Sequence, residues 1–230
     1  MPNYKSPIFS KLPKVGTTIF TKMSAMANKH EALNLSQGFP DFPIDPKLID
    51  CTLKAMKSGY NQYAPMPGLI GLREAIAEKI EDAYSIAYHP ETEITITSGA
   101  TQAIFTAIAA FVKEEDEVII FTPAYDCYQP AIELVGGKPV FVQLKSPEYK
   151  INWEEVKKLI SQRTRMIIIN TPHNPTGTLL SEEDLKELEK ITAHSEIIIL
   201  SDEVYEHIVF DGQKHASICR NKGLADRSIA

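Results

Sequence analysis

The chain has 230 residues, 43% of them apolar and 23% charged, with a formal net charge of −6. These are the proportions of an ordinary globular protein, and the acidic balance disfavours nucleic acid as the main partner. The longest nearly apolar run, 103–112, is about half of what a bilayer span needs. No charged-then-apolar leader opens the sequence, and the three widely spaced cysteines, Cys51, Cys127 and Cys219, match neither a disulfide framework nor a zinc spacing. A cytoplasmic protein is expected.

Residues 1–45, rich in proline and polar turns, read as an N-terminal arm with one short helix and as part of a small domain. Residues 46–230 read as one large domain. Asp45 and Pro46 open a helix as N-cap and first helical residue, and Gly59 can end it. A turn-rich loop over 59–71 leads to a second amphipathic helix with Leu72, Ile76, Ile80 and Ala83 on its apolar side. From residue 93 the pattern is regular. Strands are expected at 94–97, 118–121, 139–144, 166–170 and 197–201, and helices at 102–112, 125–135, 153–160 and 182–193. Asn152-x-x-Glu155 and Ser181-x-x-Asp184 have the form of capping boxes. The last residues, 227–230, begin another strand. This alternation predicts an α/β fold, a mostly parallel central sheet with helices on both faces.

Ligands of such sheets bind outside the carboxyl ends of the strands. Four groups of polar residues fall there. Ser98, Gly99, Ala100 and Thr101 make a small-residue turn into a helix, a place where free N–H groups and the helix dipole bind phosphate; an ordinary strand–helix turn has the same look. Asn174-Pro175-Thr176-Gly177 projects a rigid amide, because proline restricts Asn174 to extended geometry and Gly177 permits a positive φ. The Asn174–Pro175 bond is expected to be cis. Asp202 ends a strand that is otherwise apolar, where a carboxylate is costly without a cation or several donors. A protonated pyridine nitrogen suits it; a metal or a buried ion pair is the alternative. Tyr205 reaches the same ring as Asp202 only if the chain turns after Asp202. Tyr125, just past Pro123, can stack on a flat ligand, and Tyr128 one helical turn on can face the same site; both can equally be core aromatics. His173, His207 and Glu203 are read as structural.

Taken together, Ser36-Gln37-Gly38-Phe39-Pro40-Asp41-Phe42, Asn61-Gln62-Tyr63, Ser98-Gly99-Ala100-Thr101, Asn170-Thr171-Pro172-His173-Asn174-Pro175-Thr176-Gly177 and Ser201-Asp202-Glu203-Val204-Tyr205 resemble the class I/II aminotransferases. These are enzymes of pyridoxal phosphate (PLP) fold type I. Within that family the motifs are most similar to the methionine aminotransferase and kynurenine aminotransferase/glutamine transaminase K branch. The resemblance implies pyridoxal 5′-phosphate as cofactor, with its phosphate on Gly99, Ala100 and Thr101, its ring stacked by Tyr125, its phenolic oxygen on Asn174 and Tyr205, and its pyridine nitrogen on Asp202. It further implies that Gly38 gives a backbone N–H to the substrate carboxylate and that Phe20 lies against the substrate side chain. Tyr63 would reach the cofactor phosphate of a neighbouring subunit in a homodimer with shared sites. The implied reaction is transamination between an amino acid (methionine, glutamine or an aromatic one) and a 2-oxo acid; a cysteine-conjugate β-lyase or a lysine-free binding module would share the motifs. The family's Schiff-base lysine is expected past Ala230, since Lys214 and Lys222 come too early. No catalytic residue is therefore assigned within 1–230, and these residues alone are expected to show weak or no PLP binding and little or no turnover.

Overall fold

The structure, a computed structural model, describes residues 9–13, 15–38, 40 and 42–230. Phe39 and Asp41 of the first motif and the first eight residues of the arm lie outside the described residues. Mutual packing divides the chain into Pro13–Leu69 and a unit made of Ile70–Ala230 with the segment before Pro13. The 46–57 helix falls within Pro13–Leu69.

Pro13–Leu69 holds two helices, α1 (Ile19–Lys29) and α2 (Pro46–Lys57). Both are started by local chemistry. The Thr18 hydroxyl accepts from Thr21 N, and the Asp45 carboxylate accepts from Lys47 N at 2.8 Å with Pro46 at the first helical position. Gly59, at φ 88°, follows the end of α2.

The larger unit begins with α3 (Ile70–Tyr84) and α4 (Ala100–Phe111). There follow β1 (Glu117–Thr122), α5 (Tyr128–Leu134), β2 (Lys138–Gln143), α6 (Trp153–Leu159), β3 (Thr164–Asn170), α7 (Glu182–Thr192), β4 (Ile198–Asp202), a 3-10 turn at Ile218–Arg220, α8 (Lys222–Ala225) and β5 (Ser228–Ile229). The strands form one sheet, every pair parallel, in the order β2-β1-β3-β4-β5. Strand order reverses at β1, so the crevice between the ends of β1 and β3 is a switch point of the kind that receives ligands.

Strand alternation splits the core in two. Ile119, Phe121, Ile167, Ile169 and Ile199 face α6, α7 and α8; Val118, Ile120, Met166, Ile168 and Leu200 face α4 and α5. The strands are apolar on both faces because helices cover both. Trp153 donates its indole N–H to Asp184 at 2.8 Å, and Ser181 and Asp184 close a full capping box at the start of α7. The Asn152 side chain caps α6 by accepting from Glu155 N.

Two expectations are corrected. Residues 94–97 are not a strand: among the described residues they have no ladder partner, and β propensity without a neighbour to bond leaves the chain irregular. The helix expected from residue 125 begins at Tyr128, so Tyr125 sits in the preceding turn.

Candidate cofactor site

The site is built at the carboxyl ends of β1, β3 and β4. β3 and β4 end in register, Asn170 beside Asp202. The Asn170 side chain then ties the two termini together. Its amide donates to the Asp202 carbonyl at 2.9 Å, and its oxygen accepts from Asn174 N at 2.7 Å. Thr171 N also donates to the Asp202 carbonyl, at 3.0 Å. This buried residue is what brings Asn174 alongside Asp202, and it was missed as a site residue. Its signal was a lone amide closing a run of apolar residues beside a second strand that closes on a carboxylate.

After Asp202 the chain turns over residues 204–207, with Val204 N donating to Asp202 Oδ1 at 3.3 Å. That turn is the bend required for Asp202 and Tyr205 to serve one ligand. The Asn174 amide lies 3.4 Å from the Tyr205 hydroxyl, to which it donates. The Asn174–Pro175 bond is cis, as expected, and Gly177 has φ 74°.

Asp202 continues the alternation of Leu200 and so emerges on the α5 side. There the Tyr128 hydroxyl donates to its Oδ2 at 2.5 Å. Burial first, then the charge of Asp202, push the Tyr128 hydroxyl well above the ordinary phenol range. Burial, reinforced by Asp202 and Asp126, pushes the Cys127 thiol up to about 12, which makes it an inert thiol at neutral pH. Tyr125 meets Tyr128 edge to face, centroids 6.0 Å apart.

On the opposite face Ser201 and Glu203 form a separate cluster. The Glu203 carboxylate accepts from Ser201 Oγ at 2.7 Å and Ile218 N at 2.9 Å, and pairs with His215 Nε2 at 2.8 Å. Their side chains are only 10% and 5% exposed. Glu203 is thus an anchor for the segment after the turn. His173 is buried against Thr176, 2.7 Å from Nδ1, and burial lowers its pKa.

The third wall is the start of α4. Gly99 precedes it at φ 88° and ψ 164°, a conformation open essentially to glycine alone, and no side chain caps the helix. The Gly99 N–H is spent on the Thr97 carbonyl at 2.9 Å. The donors pointing out of the first turn are therefore those of Ala100 and Thr101, with Gly99 supplying the bend.

Ser98, Gly99, Ala100, Thr101, Ile104, Tyr125, Asn170, Asn174, Asp202, Val204 and Tyr205 enclose one cavity of about 200 Å³. Six of the expected residues of this unit thereby converge with Tyr205, the seventh. A larger hollow of about 510 Å³ adjoins it through Ala100, Ile104, Asp202 and Val204. It contains Glu206, which accepts from Lys79 and Tyr84 at 2.5 Å each. Burial opposes these bonds, yet they hold the Glu206 carboxyl below its ordinary range. Among the described residues no group of three or more histidine, cysteine and carboxylate side chains could hold a metal.

Gly38, Phe20 and Tyr63 belong to the Pro13–Leu69 unit. Phe20 lines an open concavity there with Thr18, Thr21, Ser24, Asn34 and Gln37. Asn34 holds Ser36, accepting from its N at 3.0 Å and its Oγ at 2.7 Å, just before the exposed Gly38. Tyr63 is fully exposed.

Helix N–H donors, a carboxylate and an amide–phenol pair thus line one cavity. The comparisons identify the family. The class I and II aminotransferase family model matches residues 30–228, and the chain belongs to that family, whose members are PLP enzymes of fold type I. The methionine aminotransferase of Escherichia coli is 48% identical over 221 residues, covering 96% of this chain and 57% of its own. A solved structure of an E. coli methionine aminotransferase superposes with a TM-score of 0.93 at 47% identity, covering 97% of this chain and 58% of the other. The kynurenine–oxoglutarate transaminase of Dictyostelium discoideum is 36% identical, covering 93% of this chain and 53% of its own. The chain thus spans a little over half the length of these relatives.

Proposed function

We propose that the 200 Å³ cavity holds pyridoxal 5′-phosphate and that the protein serves transamination between an amino acid and a 2-oxo acid. The observation that carries this reading is the convergence of Asp202, Asn174 and the start of α4 on one cavity. The residues fit the group. Ala100 and Thr101 N–H groups, with the Thr101 hydroxyl and the positive end of α4, would take the phosphate, Gly99 giving the approach. Tyr125 would cover the ring face. Asn174 and Tyr205, already within 3.4 Å of one another, would share the phenolic oxygen. Asp202 would pair with the ring nitrogen and keep it protonated.

When bound, the cofactor supplies an electron sink for the carbanion left when an amino acid loses its α proton. The chain's own part is to set the charge at each end of the ring. Asp202 favours the cationic ring, and the carboxylate in turn gains the counter-charge that its half-buried position calls for.

The finer assignments belong to the same proposal: methionine, glutamine or aromatic amino acids as donors, Gly38 on the substrate carboxylate, Phe20 on its side chain, residues 46–230 as the cofactor-binding domain, a cytoplasmic location, and a homodimer in which Tyr63 reaches the partner's cofactor phosphate. The motifs and the names of the relatives support them, and the full exposure of Tyr63 leaves its hydroxyl available for that role. Pyridoxamine 5′-phosphate is the discriminating probe, because its amine forms no imine with surface lysines. Its titration into isotope-labelled protein should move the amide signals of Ala100, Thr101, Asn174 and Tyr205 together. Shifts confined to residues away from this cavity would remove the reading.

A further inference from the structure

This inference rests on the PLP reading of the cavity and adds a residue to it. The Asp202 carboxylate has two donors, Tyr128 Oη to Oδ2 at 2.5 Å and Val204 N to Oδ1 at 3.3 Å. Neither donor carries charge, and among the described residues no lysine, arginine or histidine is paired with Asp202. The carboxylate is thus held at both oxygens yet not neutralised. Tyr128 is equally fixed. It is 3% exposed, packed within the α4/α5 core and braced by the edge of Tyr125. Its hydroxyl has one acceptor within reach, and burial keeps it protonated.

We propose that Tyr128 is a positioning residue for the cofactor: it orients the Asp202 carboxylate toward the ring nitrogen through a neutral donor, so that the whole negative charge of Asp202 is left to select a cationic ring. An arginine or lysine here would satisfy the same oxygen but cancel the charge. A phenylalanine would fill the same space and leave the carboxylate free to rotate.

The test is a double-mutant cycle on the chain, with Tyr128→Phe, Asp202→Ala and both together, read by NMR titration with pyridoxamine 5′-phosphate. Tyr128→Phe should weaken binding about tenfold, the scale of a hydrogen bond to a charged group. In the Asp202→Ala background the same change should matter by less than about twofold. An analogue with C–H in place of the ring nitrogen should bind the parent protein and Tyr128→Phe alike. The pairing itself is read without ligand: a slowly exchanging, downfield hydroxyl proton should be present in the parent protein and lost in both single variants.

Equal weakening with and without Asp202, or equal weakening for the analogue, makes Tyr128 a packing residue only and overturns the proposal while leaving the PLP site intact. Absence of the hydroxyl signal overturns it as well. If Asp202→Ala binds as well as the parent protein, the PLP reading itself fails and takes the proposal with it, an outcome distinguished from the others by the behaviour of that single variant.

Discussion

The α1/α2 pair and the ends of β3 and β4 are made by opposite means. In α1 and α2 no residue is buried, and Leu48, Ile49, Leu53 and Met56 of α2 are all exposed. What specifies them is local: Thr18, Asp45, Pro46 and Gly59 at their ends. The ends of β3 and β4 are set differently. Their residues are buried on both faces, and their termini are fixed by the Asn170 side chain, which bonds across to Asp202 on β4 and forward to Asn174 in the loop after β3. A region that must hold two side chains in fixed relation is the one whose geometry comes from long-range contacts.

The contrast can be broken most forcefully in the sheet. Ile199→Ala, at a fully buried position between β3 and β5, should cost about 2–5 kcal/mol in urea unfolding, because it leaves a cavity that the packed sheet cannot close. A loss under about 1 kcal/mol would mean that the two-faced core is looser than its burial implies. Next in size is Gly99→Ala. No atom lies within 4 Å of the added Cβ, so its cost is conformational only, roughly 1–3 kcal/mol for a residue forced into this region. It should weaken pyridoxamine 5′-phosphate binding by tilting the start of α4, and unchanged affinity would separate that turn from the phosphate site.

Asp45→Ala probes the local regime. Loss of the cap should cost about 1 kcal/mol and speed amide exchange in α2 without touching exchange in β3. The smallest effect concerns pH. Burial lowers the His173 pKa, so the unfolded chain binds a proton that the folded chain resists. The stability His173 contributes is complete above about pH 6.5, its unfolded value, and is lost as pH falls below it toward the folded pKa. His173→Gln should flatten the stability profile over that interval, and an unaltered slope would assign it to other groups.

Much of this fold could be read from residue pattern alone. The apolar, β-branched runs that became β3 and β4, the capping box of α7 and the Asp45–Pro46 start of α2 needed only period and end chemistry. The motifs also placed Asn174, Asp202 and Tyr205 at strand ends. What escaped was set by partners distant in the chain. Residues 94–97 have β propensity but no bonded neighbour among the described residues. Asn170 looks like any strand-ending amide until β4 lies beside it. The Glu203–His215 pair and the Tyr128–Asp202 bond each join residues that no spacing rule links.

If Asp202 serves a positively charged ring nitrogen, the ¹⁵N NMR shift of ring-labelled pyridoxamine 5′-phosphate bound to the protein reports it. It is recorded at a pH where the free ligand's ring has lost its proton. A protonated-ring shift is expected with the parent protein and the deprotonated shift with Asp202→Ala; a deprotonated ring on the parent protein would rule out that role for Asp202.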